Sequence, residues 1–596
     1  MTIDFGAEIR PNSPLLHGAN NIYPDGGQGL LAPDGSFDEG HMRFAAGIGL
    51  RTYRFPGGSE GNLYQWKRAI GPLDKRTANI SGNYRHPRTN EFGPDEFGRL
   101  LETGPFNEGI IMVAYAYEKP QDAADWVEYM NCQIGENPNG GIDWAAVRAK
   151  NGHPEPYGIR YWEIGNEVYG NWELNWGSYP TEGDAARGSA NVEHDEITNM
   201  GGTLAFGDAS RYVFGGTKPF RRQRAATSTS WRDEHCATTR EPGQTFYVKF
   251  PPVDDNDPFR LVIDETEWTR VETFEASSAS DRHFTLDPVK GEIRFGDGRH
   301  GALPEEGKLI YLDYTTGPQP GYVDYYKAMK AVDPSILVLS CFEKDSFYEV
   351  MAQNNLPYDG VSRHYYPPSA RAAKNMDLEE GYRLVMSTCH AIGKTVEHHK
   401  QNLERYRNSA LEEPVKLWFS EYGANGYFGN AAVYHSLIND HGADVGCIMI
   451  HSLFLNNRSS MYDESGLVRS KAFAIAAFSR LSCDVFVETE VEGGRSQGLP
   501  PVFASASKSN SAREGSVVLT NTRAGEAVNV QLRMKGMPIP SKPAEIWVAA
   551  PRNGNPFDEN DEADPDNISF KRVGRMHVTA KMDITVPPAA LMVLRW

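Results

Sequence analysis

Two glutamates end apolar runs that have the pattern of buried strands, and together they could carry out acid–base chemistry. Glu167 closes the run IRYWEIGNE (159–167), and Glu421 lies in VKLWFSEYG (415–423). In a parallel barrel the carboxyl ends of all strands open on one face, so acids placed there can meet. Cleavage of a glycosidic bond needs two acids, one to protonate the leaving oxygen and one to attack the anomeric carbon or to activate water. A single strand-end glutamate is more often a salt-bridged structural residue, so it is the pair that favours catalysis.

The elements that must position this pair alternate between strand and helix. Runs such as GLRTYRF (49–55) and NEGIIMVAYAY (107–117) are followed by amphipathic helical segments, and the alternation returns in the second half of the chain as far as KAFAIAAFSRL (471–481). Such alternation is typical of βαβ units around a parallel sheet. The sequence therefore predicts an α/β fold, a (β/α)8 TIM barrel formed by residues 13–184 and 319–481.

Two regions depart from this alternation and contain short β-like runs separated by Gly, Asp and Pro. We expect residues 185–318 to form an all-β module inserted after strand four. Residues 482–596 are predicted to form a C-terminal antiparallel β-sandwich, to which residues 1–12 could add a strand. Without the insert, the spacing from Glu167 to Glu421 fits strands four and seven of a barrel, since eight βα units need about 250 residues.

Several motifs resemble clan A glycoside hydrolases. RYWEIGNEVYGNWE (160–173) is similar to their acid/base segment, in which Asn-Glu ends strand four, and WFSEYG (418–423) is similar to their strand-seven nucleophile segment. The remaining segments follow the order of the family 51 α-L-arabinofuranosidases, which the chain resembles over most of residues 10–180 and 320–480, more loosely in the C-terminal region, and not in the insert. Those segments are RTYRFPGGSEGNLYQWKRAIGP (51–72), TNEFGPDEFGRLLE (89–102), DWVEYMN (125–131) and DGVSRHYYPP (359–368).

This resemblance implies a retaining glycosidase that works by double displacement, with Glu167 as general acid/base and Glu421 as nucleophile. Asn166 would hydrogen-bond the sugar hydroxyl next to the anomeric carbon. Arg54 would lie beside Glu421 and keep it ionised. The reaction needs no cofactor or metal ion, and the substrate would be an oligo- or polysaccharide.

The strand-six segment implies two further residues of the pocket. His364 and Tyr366 would line it, and Tyr366 would donate a hydrogen bond to Glu421. The adjacent Tyr365 competes for that role, and the sequence leaves the choice open. For His364, a place in the core fits the pattern as well as a place in the site.

Two positions differ from the usual family 51 pattern, and both bear on sugar recognition. Ser59 follows Pro-Gly-Gly where the family has Asn, and Ile22 stands where the family has a Glu that binds the furanose. Asn20 and Asn21 could supply replacement contacts, although asparagines in a loop turn are the simpler interpretation. The alternative function is therefore a clan A glycosidase that acts on a different sugar, such as a pyranoside or an unusual arabinan.

Other classes fit the sequence less well. GGSEG (57–61) matches the Gly-x-Ser-x-Gly elbow of serine hydrolases, but the following residues do not form the helix that the elbow requires. A zinc hydrolase is disfavoured because HExxH is absent and the neighbouring His398 and His399 would point in different directions. A carbohydrate-binding protein without activity remains an alternative. The acidic stretches 253–258 and 557–567 lack the ligand spacing of a calcium loop.

The composition of the chain limits the kinds of partner that the protein is expected to bind. The formal net charge of −19 argues against nucleic acid and anionic membranes, and no apolar run is long enough to span a bilayer. The first residues lack the pattern of a secretory signal, so we expect a cytoplasmic protein unless the chain is a trimmed form. The six cysteines are far apart, as expected for isolated buried thiols. Family resemblance implies a homo-oligomer, which no sequence feature specifies.

Overall fold

The computed structural model describes most of the chain. The residues it describes are 1–80, 88–115, 117–170, 173, 176, 209–367, 372–373, 375–411, 414–454, 460–463, 465–494 and 498–596.

Eight strands form a closed barrel in which every neighbouring pair is parallel. The strands follow one another around the barrel in chain order, and the last pairs with the first. The predicted TIM barrel is thereby confirmed. Barrel strands 1 to 8 are Gly18–Asn20, Thr52–Phe55, Glu108–Val113, Tyr161–Ile164, Leu337–Ser340, Gly360–Tyr365, Lys416–Tyr422 and Val445–His451.

Helices connect the barrel strands, and their sequences favour these positions. In Pro94–Thr103, proline begins the helix, the Glu96 carboxylate accepts from the Gly93 amide at 2.9 Å, and the apolar side chains of Phe97 and Leu100 are buried. The segment Pro24–Gly29 is not a regular right-handed helix, because five of its six residues have positive φ. The other helices between barrel strands are Glu39–Ile48, Pro120–Asn131, Trp144–Lys150, Ala209–Phe214, Tyr322–Val332, Asp345–Gln353, Leu378–His390, Gly393–Arg405, Gly426–His435 and Ala472–Phe478. Short helical turns are Pro14–Leu16, Ser59–Leu63, Trp66–Arg68, Leu73–Lys75, Ser436–Asp440 and Gly442–Asp444.

A separate seven-stranded sheet follows barrel strand 4, in the region predicted to be an inserted β module. The aromatic side chains of Trp231, Trp268 and Phe246 are buried in it. They therefore pack within the core of this module. The helix Ala209–Phe214 packs against the barrel instead, where the Tyr212 hydroxyl donates to the Ile164 carbonyl at 3.0 Å. In spatial order the strands are Pro219–Arg224, Ile310–Thr315, Arg260–Ile263, Thr266–Arg270, His283–Asp287, Glu292–Phe295 and Thr245–Tyr247, and the short helix Asp233–Cys236 lies among them in sequence.

A nine-stranded sheet contains both the first strand of the chain and its last strands. Thr2–Pro11 pairs antiparallel with Val485–Glu490 and parallel with Val528–Lys535, while the other pairs are antiparallel. In spatial order the strands are Ile568–Met576, Ala544–Pro551, Leu591–Arg595, Gly515–Asn521, Val502–Lys508, Val485–Glu490, Thr2–Pro11, Val528–Lys535 and Lys581–Val586.

Buried polar contacts join the nine-stranded sheet to the barrel helices. The His435 ring, 2% exposed, makes hydrogen bonds with the hydroxyls of Ser505 at 2.8 Å and Thr520 at 2.9 Å. The Tyr382 hydroxyl donates to the Asn521 carbonyl at 2.9 Å. These contacts fix the sheet against the side of the barrel that carries the helices after strands 6 and 7.

We expect His435 to make the protein less stable in acid. Burial lowers the pKa of His435 to about 3 from the usual 6.5. Below pH 6.5 the unfolded chain therefore binds a proton that the folded protein excludes, so stability falls as pH falls from 6.5 towards 3. The loss is about 1.4 kcal/mol per pH unit. Urea unfolding at pH 7 and at pH 4.5 gives the free energy of unfolding of each protein. Between these two pH values, His435→Gln should lose about 2–3 kcal/mol less of this free energy than the wild type. Equal losses in both proteins would contradict this account.

All six cysteines are free and buried, as the sequence predicts. Among the helices in the described part of the chain, none is long and apolar enough to cross a membrane.

Candidate active site

The predicted residues lie at the carboxyl ends of the barrel strands, at the same height along the barrel axis. His364 on strand 6 lies opposite Glu421 on strand 7. Asn20 on strand 1 lies opposite Arg54 on strand 2 and opposite His451 on strand 8. Because parallel strands in register end together, these five side chains meet at the same end of the barrel.

Glu167 reaches this cluster from a tight turn after strand 4. Gly165 begins the turn with φ 85°, and a Cβ there would lie 2.7 Å from Val168 and 2.9 Å from Tyr115. Glu167 itself has φ 43°, a conformation that costs a non-glycine residue about 1–3 kcal/mol and often marks functional positions. Its side chain is 12% exposed, so it remains accessible to a ligand.

The two predicted catalytic carboxylates face each other across His364. One carboxylate oxygen of Glu167, one of Glu421 and a ring nitrogen of His364 all lie within 4.8 Å of one another. Retaining glycosidases keep their two carboxyl groups about 5–5.5 Å apart, whereas inverting enzymes need more room for a water molecule. The approach of these carboxylate oxygens to within 4.8 Å is compatible with the shorter, retaining arrangement.

Glu421 is held by donors on both of its oxygens. Its Oε2 accepts from Asn20 Nδ2 at 2.7 Å and from Arg54 at 3.2 Å, and its Oε1 accepts from the Tyr366 hydroxyl. Burial alone would raise the pKa of Glu421, but its neighbours His451, His364 and Arg54 outweigh it and lower the pKa well below the usual range. Glu421 is therefore a carboxylate at neutral pH, as a nucleophile must be.

Arg54 is the centre of this network and is completely buried. Its Nε donates to Glu163 at 2.8 Å, and its two terminal nitrogens donate to Glu421 and Asn20 at 3.2 Å and to Asn166 at 3.0 Å. A guanidinium presents several donors in one plane, so a single side chain orients four acceptors. Arg54 lies beside Glu421 in the structure, as the resemblance implies.

His364 carries the proton shared within the site. Its Nδ1 lies 2.7 Å from Glu167 Oε1, and its Nε2 lies 3.1 Å from the Ser420 hydroxyl. Burial would lower the pKa of His364, but the charges of Glu421 and Glu167 raise it to about 8. At neutral pH the imidazole of His364 therefore holds a proton, and its Nδ1 lies within hydrogen-bond distance of Glu167.

Asn166 is oriented by a third carboxyl group, that of Glu173, to which sequence reasoning assigned no role. Asn166 Nδ2 donates to Glu173 Oε1 at 3.0 Å, and Ser59 Oγ donates to the same oxygen at 2.6 Å. Asn62 Nδ2 donates to Glu173 Oε2 at 2.7 Å. Glu173 is fully buried, and burial together with the charge of Glu167 raises its pKa to about 8. Ser59 is thus a ligand of Glu173 rather than a nucleophile with a base beside it.

We expect Glu173→Gln to lower kcat/KM by about 10–100-fold, because a misplaced supporting group disturbs the alignment of the site. The glutamine amide cannot accept all three donors, so Asn166 loses its fixed orientation. Ser59→Ala removes only one donor and should reduce kcat/KM by less than about 10-fold. Steady-state kinetics on an aryl glycoside tests both variants, with circular dichroism as the control for folding. Wild-type kinetics in both variants would be evidence against a positioning role for Glu173.

The choice between the two tyrosines of strand six follows from their hydroxyls. Tyr366 donates to Glu421, whereas the Tyr365 hydroxyl donates to the Thr388 carbonyl at 2.6 Å, away from the carboxylates. Tyr366 is also 49% exposed, so its ring borders open space next to the nucleophile.

Among the asparagines weighed as replacement contacts, Asn20 touches the nucleophile and Asn21 does not. Asn21 donates to the Gly27 carbonyl at 2.8 Å and accepts from the Phe454 amide at 3.3 Å. Ile22 is buried. Glu163 and His451 also belong to the site and were missed, although each comes near the end of an apolar run that predicts a barrel strand.

The Glu167, His364 and Glu421 cluster is the one group among the described residues whose atoms could meet a single metal ion. The guanidinium of Arg54 already lies 3.2 Å from Glu421 and supplies the positive charge there. The arrangement therefore favours acid–base and nucleophilic chemistry. The consecutive residues His398 and His399 have different side-chain partners, since His398 contacts Asp345 and His399 contacts Tyr348.

Comparison with known proteins shows which enzymes this chain resembles. Residues 45–235 match the model of the alpha-L-arabinofuranosidase 1 domain. The chain resembles the family 51 α-L-arabinofuranosidases. Over 158 residues it is 33% identical to a protein named probable alpha-L-arabinofuranosidase C from Aspergillus fumigatus, an alignment that covers 26% of this chain and 28% of that protein. Over 185 residues it is 28% identical to an exo-alpha-(1->6)-L-arabinofuranosidase from Bifidobacterium longum, covering 29% of this chain and 34% of the relative. The matched part thus spans about a third of these relatives.

The family 51 resemblance extends to the fold of the whole chain. An α-L-arabinofuranosidase from Thermotoga maritima superposes with a TM-score of 0.67 at 17% sequence identity, covering 100% of this chain and 99% of the other. A family 51 α-L-arabinofuranosidase from Bifidobacterium longum gives a TM-score of 0.65 at 13% identity, covering 100% and 98%. At such low identity the likeness establishes a shared fold.

Proposed function

We propose that the protein is a retaining glycoside hydrolase that cleaves α-L-arabinofuranosides in oligo- or polysaccharides. The observation that carries this proposal is the approach of Glu167 and Glu421, whose carboxylate oxygens lie within 4.8 Å of each other and of His364. Such spacing suits double displacement.

In the first step a carboxylate oxygen of Glu421 attacks the anomeric carbon while the glycosidic C–O bond breaks. The proton held between His364 Nδ1 and Glu167 Oε1, 2.7 Å apart, passes through Glu167 to the leaving oxygen. The leaving group departs as an alcohol, and the sugar stays covalently bound to Glu421 as an ester.

In the second step Glu167, now a carboxylate, takes a proton from water. The water oxygen forms a bond to the anomeric carbon, and the ester bond to Glu421 breaks, which restores the nucleophile as a carboxylate. Arg54 and Asn20, both bound to Glu421 Oε2, stabilise the charge that returns to it.

A glycosidase for another sugar is the second candidate, and one observation favours it. Ile22 and Ser59 occupy the positions at which the resemblance implies sugar-binding Glu and Asn side chains. The Ser59 hydroxyl binds Glu173, so its contact with a furanose would be less direct than that of an asparagine.

A panel of 4-nitrophenyl glycosides separates these candidates. The proposal expects release of nitrophenol from the α-L-arabinofuranoside at a rate far above that from pyranosides. Cleavage of a pyranoside in preference would support the second candidate. Binding of glycans without any release would indicate a carbohydrate-binding protein and would overturn the proposal.

A further inference from the structure

A cavity of about 760 Å³ opens next to the nucleophile, between barrel loops and a loop of the nine-stranded sheet. Loops after barrel strands 6 and 7 supply residues such as Leu378 and Asn425. The loop 555–559, between the strands Ala544–Pro551 and Ile568–Met576, supplies the remainder of the lining. The volume lies in the range of about 300–1,000 Å³ typical of small-molecule sites.

Two residues of the active site line this cavity as well. The Tyr366 hydroxyl donates to Glu421 Oε1, and His451 Nδ1 lies 4.0 Å from the same oxygen. The other oxygen, Oε2, faces Asn20 and Arg54. The cavity therefore lies on the Oε1 side of the nucleophile, and Tyr366 and His451 stand between them.

The lining combines apolar faces with hydrogen-bonding groups. Met376 and Leu378 are 37% and 39% exposed, and Phe557 lies beside them in the lining. Asn425 and Lys471 supply polar groups to the same cavity. Sugar rings present both C–H faces and hydroxyls, and sites of mixed character suit such ligands.

The charges of the cavity are close to balanced, so they do not select an ionic ligand. Lys471 is matched by Glu559, whose carboxylate also accepts from the backbone amide of Ser470 at 3.0 Å and from its hydroxyl at 2.9 Å. Asp558 adds one negative charge and accepts from Asn553 and Asn555 at 2.8 and 2.9 Å. A neutral ligand is the best match to this lining.

We propose that this cavity is a second sugar subsite, which binds the unit attached to the non-reducing side of the sugar that is cleaved. The inference rests on the proposed function. In double displacement the leaving group lies on the side of the acid/base, Glu167, and the nucleophile attacks from the opposite face. A cavity reached past Tyr366 and His451 lies on the side of Glu421. Glu167, which faces the leaving group, does not line this cavity, so the cavity is assigned to the part of the substrate that stays bound to the enzyme in the ester intermediate.

The subsite predicts a preference for a disaccharide over a monosaccharide with the same leaving group. We expect kcat/KM for 4-nitrophenyl α-L-arabinofuranobiosides, with (1→3) and (1→5) links tested separately, to exceed that for 4-nitrophenyl α-L-arabinofuranoside by at least about 10-fold for one link. Mass spectrometry of the products should detect the free disaccharide, released as one unit.

Variants of exposed residues test the location. Met376→Trp would fill the cavity, and Leu378→Ala would remove an apolar face. Both should bring kcat/KM for the favoured disaccharide within about 3-fold of the monosaccharide value and leave monosaccharide hydrolysis unchanged. Ile539→Ala, at a residue 85% exposed and outside the lining, is the matched control and should keep the preference.

The outcomes distinguish this inference from the proposed function. Hydrolysis of the monosaccharide with no preference for either disaccharide overturns the subsite and leaves the proposed function standing. A preference that both cavity variants retain overturns the location. Failure to release nitrophenol from any of these arabinofuranosides overturns the proposed function and the subsite together.

Discussion

Replacing Glu421 by alanine is expected to reduce kcat by roughly 10⁴-fold or more, because the covalent step then has no nucleophile. The variant should fold, since Arg54 keeps its buried ion pair with Glu163 at 2.8 Å and the strand hydrogen bonds remain. Added azide should restore part of the rate and release a glycosyl azide of inverted configuration. Hydrolysis of 4-nitrophenyl α-L-arabinofuranoside and analysis of the azide product measure both effects.

Glu167→Ala is the matched comparison. Loss of general acid catalysis should cost about 10²–10⁴-fold for substrates with an alcohol leaving group and less for an activated aryl glycoside, which needs no proton. Azide should rescue this variant with retained configuration, because the ester on Glu421 still forms. If both variants kept wild-type rates while Ser59→Ala abolished activity, the assignment of the two carboxylates would be wrong.

Replacing Arg54 by methionine is expected to damage both stability and catalysis. The buried carboxylates of Glu163 and Glu421 would lose the guanidinium that contacts them at 2.8 and 3.2 Å. Removing one partner of a buried ion pair costs about 3–5 kcal/mol. The pKa of Glu421 should also rise, because Arg54 contributes to lowering it. The acidic limb of the kcat/KM profile should therefore move to higher pH.

Arg54→Lys is the control, since it keeps the charge but not the planar set of donors. It should preserve more of the low pKa of Glu421 than methionine does, yet it should still lose alignment of Asn166 and Asn20. Denaturant unfolding and pH–rate profiles of the two variants distinguish the effect of the positive charge of Arg54 from the effect of the geometry of its donors. An acidic limb at the same pH in Arg54→Met and the wild type would show that Arg54 does not govern the ionisation of Glu421.

The sequence predicts the barrel and the candidate catalytic pair because both depend on local pattern. The alternation of apolar runs with helical segments specifies parallel strands, and Glu167 and Glu421 stand where such runs end. The place of Arg54 beside Glu421 follows instead from the resemblance to the family 51 enzymes.

The rest of the site depends on long-range packing, which local pattern does not encode. Asn20 binds Glu421 although 401 residues separate them, and only the closure of the barrel brings the first strand to the seventh. Glu173 lies after the strand-four motif, and its contacts with Ser59 and Asn62 depend on how two loops fold together. An isolated acid in such a loop has no spacing that predicts burial.

The pairing of the strand Thr2–Pro11 has a consequence for how the protein is made. Thr2 is registered with Glu490 and with Arg533, so the first strand has no partner until nearly the whole chain exists. At synthesis rates of about 5–20 residues per second, that interval is roughly half a minute to two minutes. Barrel strand 1 can pair early with strand 2, but its other edge waits for strand 8, where Asn20 lies opposite His451. During translation the N-terminal segments therefore have exposed strand edges, and their shielding by chaperones would determine the yield of folded protein.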